Sequence, residues 1–435
     1  MGSTGRHPQQ ALIDDLKTLG FTEYEARVYM ALLVYFAWYP IASSAMWIYT
    51  AVLYWRRRET GVETRLAEFY RLDGYPRVSF VVPAFNEEAN IVESVEAILA
   101  VDYPDFEVVV IDDGSTDGTL AELQPLAADG RIRLVRKHVN EGKAMALNDA
   151  IPLCNGELLM IMDADAMPHP DILKAMVPHF RGARVGGVTG NPRVVNRESF
   201  LSKLQAIEFA SIISLMRRAQ RVWGRIMTMS GVVGMFRREA LQDVGYYSPE
   251  MATEDIDMTW RLQLRHWDIR YESRAVMWMR VPQSLKGLWR QRRRWALGLS
   301  QVLFRHWREC MKWEHRRFWP VLVEANLSVL WAYAYVFLSI VWTLSYALGY
   351  PPVGASPIPN FWGMLIATVC VCQLITGVVL DRQYDERLPR YFVTAVFYPL
   401  VYWILMAVIT VTTHPLGARV NRQERPYTLW KPVRE

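Results

Sequence analysis

Acidic residues follow three apolar runs of the sequence, and their spacing suits the binding of a metal ion. The runs VSFVV, FEVVVI and ELLMIM are followed by PAFNEE, DDGSTD and DADA, respectively. In DADA, Asp163 and Asp165 lie two residues apart, so in an extended chain both carboxylates project to the same side. Paired carboxylates suit Mg²⁺ or Mn²⁺, and such an ion would neutralise the charge on a departing diphosphate. Each segment alone is also typical of turns and helix caps, but three together favour a site.

The elements around these segments predict the fold that brings them together. From Val78 onward, short β-rich runs alternate with helical patterns, and the runs are continuously apolar, as is typical of parallel strands covered on both faces. This alternation predicts the α/β class with a doubly wound sheet. Ligands of such sheets bind beyond the carboxyl ends of the strands, so we expect the acidic segments to converge at one edge.

Two later segments also combine residue types that perform chemistry. TEDID opens a predicted helix, and acids in a first helical turn are the simpler interpretation of Glu254 and Asp255 taken alone. A carboxylate in this position could alternatively accept a proton as a general base. In QRRRW, Arg294 can bind phosphate bidentately and Trp295 offers a flat surface to a sugar. The stretch 285–319 is equally typical of a helix on an anionic membrane surface.

Three uncharged runs are long enough to cross a bilayer, for which about 20 apolar residues suffice. They occupy residues 28–55, 325–380 and 391–413, and Gly and Pro residues divide the second into two helices. Arg56–Arg58 and the basic stretch before the second run predict that the segment between them is cytoplasmic. The count of four spans puts the C-terminal tail outside, whereas its basic residues favour the inside.

These patterns divide the chain of 435 residues into a catalytic domain and several membrane segments. Membrane topology accounts for the net charge of +5, so we expect no nucleic-acid partner. The four cysteines have neither disulfide nor zinc spacing. The predicted segments are an N-terminal amphipathic segment at 1–27, membrane helices at 28–55, 321–349, 360–380 and 391–413, a cytoplasmic catalytic domain at 76–282, interfacial helices at 283–320 and a tail at 414–435.

Six segments in this order, PAFNEE, IDDGSTD, NEGKAMALN, DADA, TEDID and QRRRW, resemble the family 2 glycosyltransferases of the processive, membrane-bound kind. VTGNPR and SGVVGMFRREAL resemble the branch that makes poly-β-1,6-N-acetylglucosamine. The resemblance implies a glycosyltransferase A-type fold and inverting transfer of N-acetylglucosamine from UDP-GlcNAc to a growing polysaccharide of the biofilm matrix, with export across the bacterial inner membrane. A hyaluronan, chitin or glycolipid synthase is an alternative, as is an inert membrane-tethered regulator.

The resemblance also implies a role for each matching residue, with Asp255 as the general base and Mg²⁺ or Mn²⁺ as the cofactor. The implied donor-nucleotide residues are Pro83, Phe85, Asn86, Glu87, Asp113, Lys143 and Asp163. The implied metal ligands are Asp163 and Asp165, the catalytic residues are Thr253, Glu254 and Asp255, and the diphosphate and acceptor contacts are Gln291, Arg294 and Trp295.

Family-level expectations extend to partners. The resemblance implies a small membrane subunit and regulation by cyclic di-GMP at that interface, in addition to contact with the lipid bilayer. The family pattern has two spans before the catalytic domain, whereas this chain shows one. The segment Leu16–Leu33 instead resembles the opening of a winged-helix domain of sugar-responsive regulators, but no recognition helix follows. Glu324 at the start of the second span either faces a polar conduit for the product or pairs with Arg317 at the interface.

Overall fold

The computed structural model describes residues 13–14, 17–18, 20–60, 74–349, 361–398 and 402–420. Much of the predicted segment at 1–27 and of the tail at 414–435 therefore lies outside the described residues. The strands are β1 (Val78–Ala84), β2 (Phe106–Asp112), β3 (Arg133–Arg136), β4 (Leu158–Ile161), β5 (Met167–Pro168), β6 (Val185–Val194), β7 (Gly234–Arg237) and β8 (Asp268–Met279).

The helices of the described residues fall into two groups. Those of the catalytic region are α2 (Ile91–Leu99), α3 (Thr119–Ala128), α4 (Lys143–Ala150), α5 (Ile172–Met176), α6 (Phe200–Glu208), α7 (Leu215–Trp223), α8 (Arg238–Asp243), α9 (Glu254–Leu264) and α10 (Leu285–Cys310). The others are α1 (Glu23–Arg58), α11 (Trp319–Ala347), α12 (Phe361–Asp381), α13 (Phe392–Ala395) and α14 (Trp403–Val420). A short π-helix, Phe209–Ser214, joins α6 to α7.

One eight-stranded sheet forms the centre of the catalytic region, in the order β3-β2-β1-β4-β7-β6-β8-β5. The strands β3, β2, β1 and β4 run parallel, as the continuous apolar runs predict, whereas β7 pairs antiparallel with both β4 and β6. The predicted glycosyltransferase A-type sheet is confirmed. The alternating pattern alone did not indicate its two antiparallel strands, β7 and the short β5, which pairs with β8.

Both faces of the sheet are buried at its centre, which explains why β1, β2 and β4 are apolar along most of their length. Phe80 and Val110 lie in the core on one face, and Val81 and Ile111 lie in the core on the other. Successive side chains of a strand point to opposite faces, so each run must be apolar at every position. The sheet is thus a rigid support for the loops at its carboxyl edge.

Four helices of the described residues are long and apolar enough to cross a membrane, namely α1, α11 with the turn before it, α12 and α14. This chain is therefore a membrane protein. The longest, α1, begins with a capping box between Thr22 and Glu25 and ends with Arg56, Arg57 and Arg58 in its last turn. It thus starts before the predicted run at 28–55 and continues through Pro40 as a single helix.

The last apolar helix differs from its prediction. The run at 391–413 was expected to form one helix, but the structure has the short α13 followed by α14, which extends to Val420. Uncharged composition indicates a span without fixing where the helix begins. Gly417 on α14 approaches α10 so closely that a methyl group there would lie 2.5 Å from the Ser300 Cβ.

A buried charge cluster joins the membrane helices to the catalytic region. Arg218 on α7 pairs with Glu59 next to α1 at 2.7 Å and with Asp381 at the end of α12 at 2.8 Å. Arg193 on β6 pairs with the same Asp381 at 2.5 Å. All four side chains are at most 3% exposed, and buried charges persist only when paired. We name Glu59, Arg193, Arg218 and Asp381 the charge cluster.

Candidate active site

Acidic residues from two neighbouring strands meet at the carboxyl edge of the sheet. Glu87 follows β1 and Asp163 and Asp165 follow β4, and these two strands are adjacent and parallel. Burial, reinforced by the charges of Asp163 and Glu87, raises the pKa of Asp165 to about 7. Such an excess of oxygen ligands and negative charge fits Mg²⁺ or Mn²⁺, because a divalent cation would relieve the repulsion between the carboxylates.

Lys143 connects the two acidic motifs. It is the first residue of α4 and follows Gly142, whose φ of 91° suits glycine. Its ammonium pairs with Asp163, lies 3.5 Å from the Glu254 carboxylate and donates to the Gly231 carbonyl at 3.2 Å. The negative charges around it raise its pKa against the opposing effect of burial. Lys143 therefore stays cationic where a donor diphosphate would lie.

Asp255 lies at the start of α9, and two backbone amides orient its carboxylate. One carboxylate oxygen accepts from the Gly231 amide at 3.0 Å and the other from the Ile256 amide at 2.9 Å. Burial, followed by repulsion from Glu254, raises its pKa to about 6. A carboxylate with this pKa is ionised at neutral pH and is still basic enough to accept a proton.

The predicted donor-nucleotide loops are bonded to one another. The Asn86 side chain accepts from the Thr116 amide at 2.8 Å, and its own φ of 54° is held by this contact. Asp113 is fully buried and accepts from the Gly142 amide at 2.8 Å, so it fixes the loop that carries Lys143. Burial raises the pKa of Asp113 despite these amides.

A single cavity of about 920 Å³ contains both the metal-ligand candidates and the candidate base. The predicted site residues that line it are Glu87, Lys143, Asp163, Asp165, Thr253, Glu254, Asp255, Gln291, Arg294 and Trp295. The remaining ones, Pro83, Phe85, Asn86 and Asp113, do not line it. One space is thus available to a donor at the sheet edge and to an acceptor beside α10.

Residues of the QRRRW segment in α10 have different surroundings. Arg294 and Trp295 face the cavity, and the charge of Arg294 acts on Asp255. Arg292 is instead buried, pairs with Glu208 at 2.8 Å and lies 4.0 Å above the Trp295 ring. Arg292 therefore holds the tryptophan in place and does not reach the reacting groups.

Sequence reasoning missed two contributors to the cavity. Ser230 and Gly231, which lie shortly before β7, line the cavity, and the Gly231 amide donates to Asp255. Arg217 on α7 also lines the cavity while being 6% exposed. A basic residue inside an otherwise apolar helical stretch was the available signal for Arg217, and the sequence patterns above gave this residue no role.

The comparisons with known proteins agree with this geometry. Residues 76–298 match the family model described as glycosyltransferase like family 2. The poly-beta-1,6-N-acetyl-D-glucosamine synthase of Staphylococcus epidermidis is 32% identical over 398 residues, which cover 90% of this chain and 95% of that protein. The synthase of the same name from Staphylococcus aureus strain COL is 31% identical over 395 residues, with the same coverage.

A solved structure shows the same fold. The mannosyltransferase PcManGT from Pyrobaculum calidifontis, in complex with GDP-Man and Mn²⁺, superposes with a TM-score of 0.55 at 24% identity, and the match covers 84% of this chain and 99% of that one. Because the family model matches half of the chain and the relatives exceed 30% identity over nearly their whole length, this chain belongs to the family 2 glycosyltransferases.

Proposed function

We propose that this enzyme is a processive, inverting N-acetylglucosaminyltransferase that uses UDP-GlcNAc to extend poly-β-1,6-N-acetylglucosamine. The observation that carries the proposal is the shared cavity, in which Asp165 and Asp255 face one space beside the flat ring of Trp295. The identity to two synthases of this polymer supports the choice of sugar. The product is a neutral sugar chain, and an aromatic surface suits the apolar face of such a ring.

The residues of this chain perform the transfer in a simple division of labour. Asp163 and Asp165 would hold Mg²⁺ or Mn²⁺, and that ion would supply charge neutralisation on the leaving diphosphate. Lys143 and Arg294 place further positive charge on the same diphosphate. Asp255 takes the proton of the acceptor hydroxyl as that oxygen attacks the donor sugar from the opposite face, so one displacement inverts the anomeric centre.

The same cavity supports coupling of synthesis to export. It extends from the sheet edge to Glu324, Ser328 and Thr410 on helices that can cross the membrane. Glu324 is 7% exposed and accepts from the Tyr39 hydroxyl at 3.4 Å instead of pairing with Arg317. The expected localisation is the bacterial inner membrane, with the catalytic domain in the cytoplasm.

Export is tested with Glu324→Gln. This change keeps the hydrogen-bonding shape and removes the charge, and we expect synthesis in membrane vesicles to continue while secreted polymer decreases. Polymer is quantified separately inside and outside cells. Equal secretion by the variant and the natural protein would remove Glu324 from the conduit.

Donor choice is tested with purified membranes, Mg²⁺ and labelled UDP-GlcNAc, UDP-glucose, UDP-glucuronic acid and GDP-mannose. We expect polymer from UDP-GlcNAc alone, and methylation analysis of the product should show β-1,6 linkages. Polymer from a different donor would reassign the enzyme to another synthase. No turnover of any donor would favour an inert regulator.

We also propose the family's partners for this chain, namely a small membrane subunit and cyclic di-GMP at the interface with it. The support is that, within the described residues, α1 is the one helix before the catalytic region that is long and apolar enough to span, where the family pattern has two. Purification from native membranes in mild detergent should retain the subunit. Cyclic di-GMP should stimulate synthesis only while the subunit is bound to the enzyme. If the chain alone were fully active and cyclic di-GMP did not change its activity, both proposed partners would be contradicted.

A further inference from the structure

One helical face that lines the cavity is apolar at its start and carries a cation further along. The π-helix and α7 form a continuous helical segment, and its cavity-facing residues recur every three or four positions. These residues are Phe209, Ile212, Ile213, Met216, Arg217 and Gln220. We call them the stripe. Its first four members are apolar, and the next is a guanidinium.

The apolar end of the stripe lies next to the membrane helices. Phe209 packs in one cluster with Leu374 and Val378 of α12, and the neighbouring Ser211 hydroxyl donates to the Leu374 carbonyl at 2.9 Å. Trp47, Val329 and Met406, from three helices that can span the membrane, line the same cavity. Three of the four apolar members, Ile212, Ile213 and Met216, are aliphatic and offer a sugar neither an aromatic face nor a hydrogen bond, so this part of the cavity suits an alkyl chain.

The cationic end of the stripe lies next to the reacting groups. Arg217 donates to the Gly190 carbonyl at 3.1 Å, and no ion pair involves it within the described part of the chain. Burial lowers its pKa to about 10, and the charge of Asp255 acts in the opposite direction, so it remains cationic at neutral pH. A buried cation without a carboxylate partner is costly, and an anionic ligand in the cavity would offset that cost.

The order along the stripe is thus apolar surface, buried cation, and then the candidate base. We propose that the stripe binds a lipid-linked acceptor on which the polymer begins: its alkyl chain lies along Phe209–Met216, its phosphate meets Arg217, and its sugar hydroxyl reaches Asp255. The inference rests on the proposed function and names its first acceptor. The hydroxyl gives its proton to Asp255, its oxygen bonds to carbon 1 of the donor sugar, and the bond from that carbon to the diphosphate breaks with both electrons leaving on UDP.

Three synthetic acceptors separate the contributions of chain and charge. They are dodecyl phosphate bearing one N-acetylglucosamine, the dodecyl glycoside without phosphate, and N-acetylglucosamine phosphate without a chain. Initial rates of transfer from labelled UDP-GlcNAc are measured with the full-length protein in nanodiscs. We expect the KM of the complete acceptor to be at least roughly tenfold below that of either partial one, because a charge-assisted contact contributes on the order of one to two powers of ten in affinity.

Arg217→Gln tests the phosphate contact. We expect it to raise the KM of the complete acceptor to that of the dodecyl glycoside, with kcat and the KM of UDP-GlcNAc unchanged, and Arg217→Lys to restore most of the difference. Arg221→Gln is the matched control, because Arg221 lies on the same helix and pairs with Asp268 at 2.9 Å. An unchanged KM in Arg217→Gln, or equal KM values for the three acceptors, would overturn the inference and leave the proposed function standing.

Direct labelling keeps the inference testable if the proposed donor is wrong. A photoreactive diazirine at the end of the dodecyl phosphate chain should label the peptide 209–216, and excess dodecyl phosphate but not inorganic phosphate should compete. Label confined to the outer surfaces of the membrane helices would overturn the lipid site. Absence of transfer from UDP-GlcNAc to every acceptor, together with labelling of the stripe, would refute the donor and retain the site.

Discussion

At the scale of single residues, the chemistry depends on how charges of opposite sign alternate across the cavity. Lys143 lies between Asp163 and Glu254, so a single ammonium holds the sheet edge and the start of α9 together. Arg294 adds a second cation on the side of α10. The donor diphosphate is therefore expected to exchange partners with these carboxylates when it binds, which makes donor binding sensitive to Lys143.

The role of Asp255 is tested by Asp255→Asn. The amide keeps the shape and the bond from the Gly231 amide but accepts no proton, so we expect transfer to fall by roughly two to four powers of ten. Binding of UDP-GlcNAc, measured by calorimetry, should change by less than about twofold, because Asp255 acts on the acceptor. An equal loss of binding and transfer would instead assign Asp255 to the donor.

The pH dependence of transfer follows from the same carboxylate. Burial and Glu254 raise the pKa of Asp255 from its usual value to about 6, so its basic form is present above pH 6 and is lost as the pH falls through that value. We expect kcat to decrease about tenfold per pH unit on the acidic side, measured with saturating donor and metal. A flat profile from pH 7 to pH 5 would contradict Asp255 as the base.

At the scale of elements, glycines set how closely helices approach the site. Gly298 of α10 faces Thr253, and a methyl group at position 298 would overlap the Thr253 side chain. Thr253 immediately precedes α9, which carries Glu254 and Asp255. The absence of a side chain at Gly298 therefore allows α10, which carries the acceptor surface, to pack closely against the segment that carries the candidate base.

Gly298→Ala is expected to separate α10 from α9. We expect the rate of transfer to fall at least roughly tenfold, because small displacements of reacting groups strongly reduce the rate. Gly74→Ala is the control, since nothing lies within 4 Å of the position that its methyl group would take. Transfer is compared at equal amounts of folded protein, judged by thermal unfolding. Full activity of Gly298→Ala would show that the approach is not required.

How much the sequence predicts differs between elements for physical reasons. Apolar runs predicted β1, β2 and β4, because a strand buried on both faces leaves a continuous apolar run, and the shorter run IRLVR predicted the edge strand β3. These runs did not predict that β7 is antiparallel, since strand direction depends on long-range pairing. The shared cavity of Asp165 and Asp255 was expected from the family resemblance, but the inward direction of Arg217 follows from helix packing, which composition does not contain.

At the scale of the whole molecule, the charge cluster determines how strongly the two regions are joined. Arg218→Ala would leave the buried Glu59 without its arginine and the buried Asp381 with Arg193 alone. Loss of one member of a buried pair costs about 3–5 kcal/mol in the free energy of unfolding, so we expect a clear decrease of Tm. Thermal unfolding in detergent measures it.

Arg131→Ala is the matched control for that experiment. Arg131 also pairs with a carboxylate at 2.7 Å, that of Glu96, but both side chains are more than a third exposed. Exposed pairs contribute about 0–1 kcal/mol, so Tm should hardly change. Equal effects of the two substitutions would show that burial of the charge cluster has no special importance.

The position of the C-terminal tail is also a property of the whole chain. Tyr402, just before α14, donates to Glu208 at 2.6 Å beside Arg292, and Gly417 near its end packs on Ser300. Both ends of α14 thus lie beside α10, and we predict that α14 stays on the side of the catalytic domain, although its length and composition would allow it to cross a membrane. In a protein without native cysteines, Glu435→Cys should be protected from external maleimide like Gly74→Cys, whereas Gly349→Cys should react. External labelling of Glu435→Cys would establish a fourth crossing.

The charge cluster also limits how this protein can be divided for biochemical work. A soluble fragment cut at the family boundaries 76–298 would retain Arg193 and Arg218 and lose Glu59 and Asp381. The guanidiniums of Arg193 and Arg218 would then lie near each other without their carboxylate partners, and their positive charges would repel each other. We therefore expect a fragment without the membrane helices to need neutral replacements at both arginines.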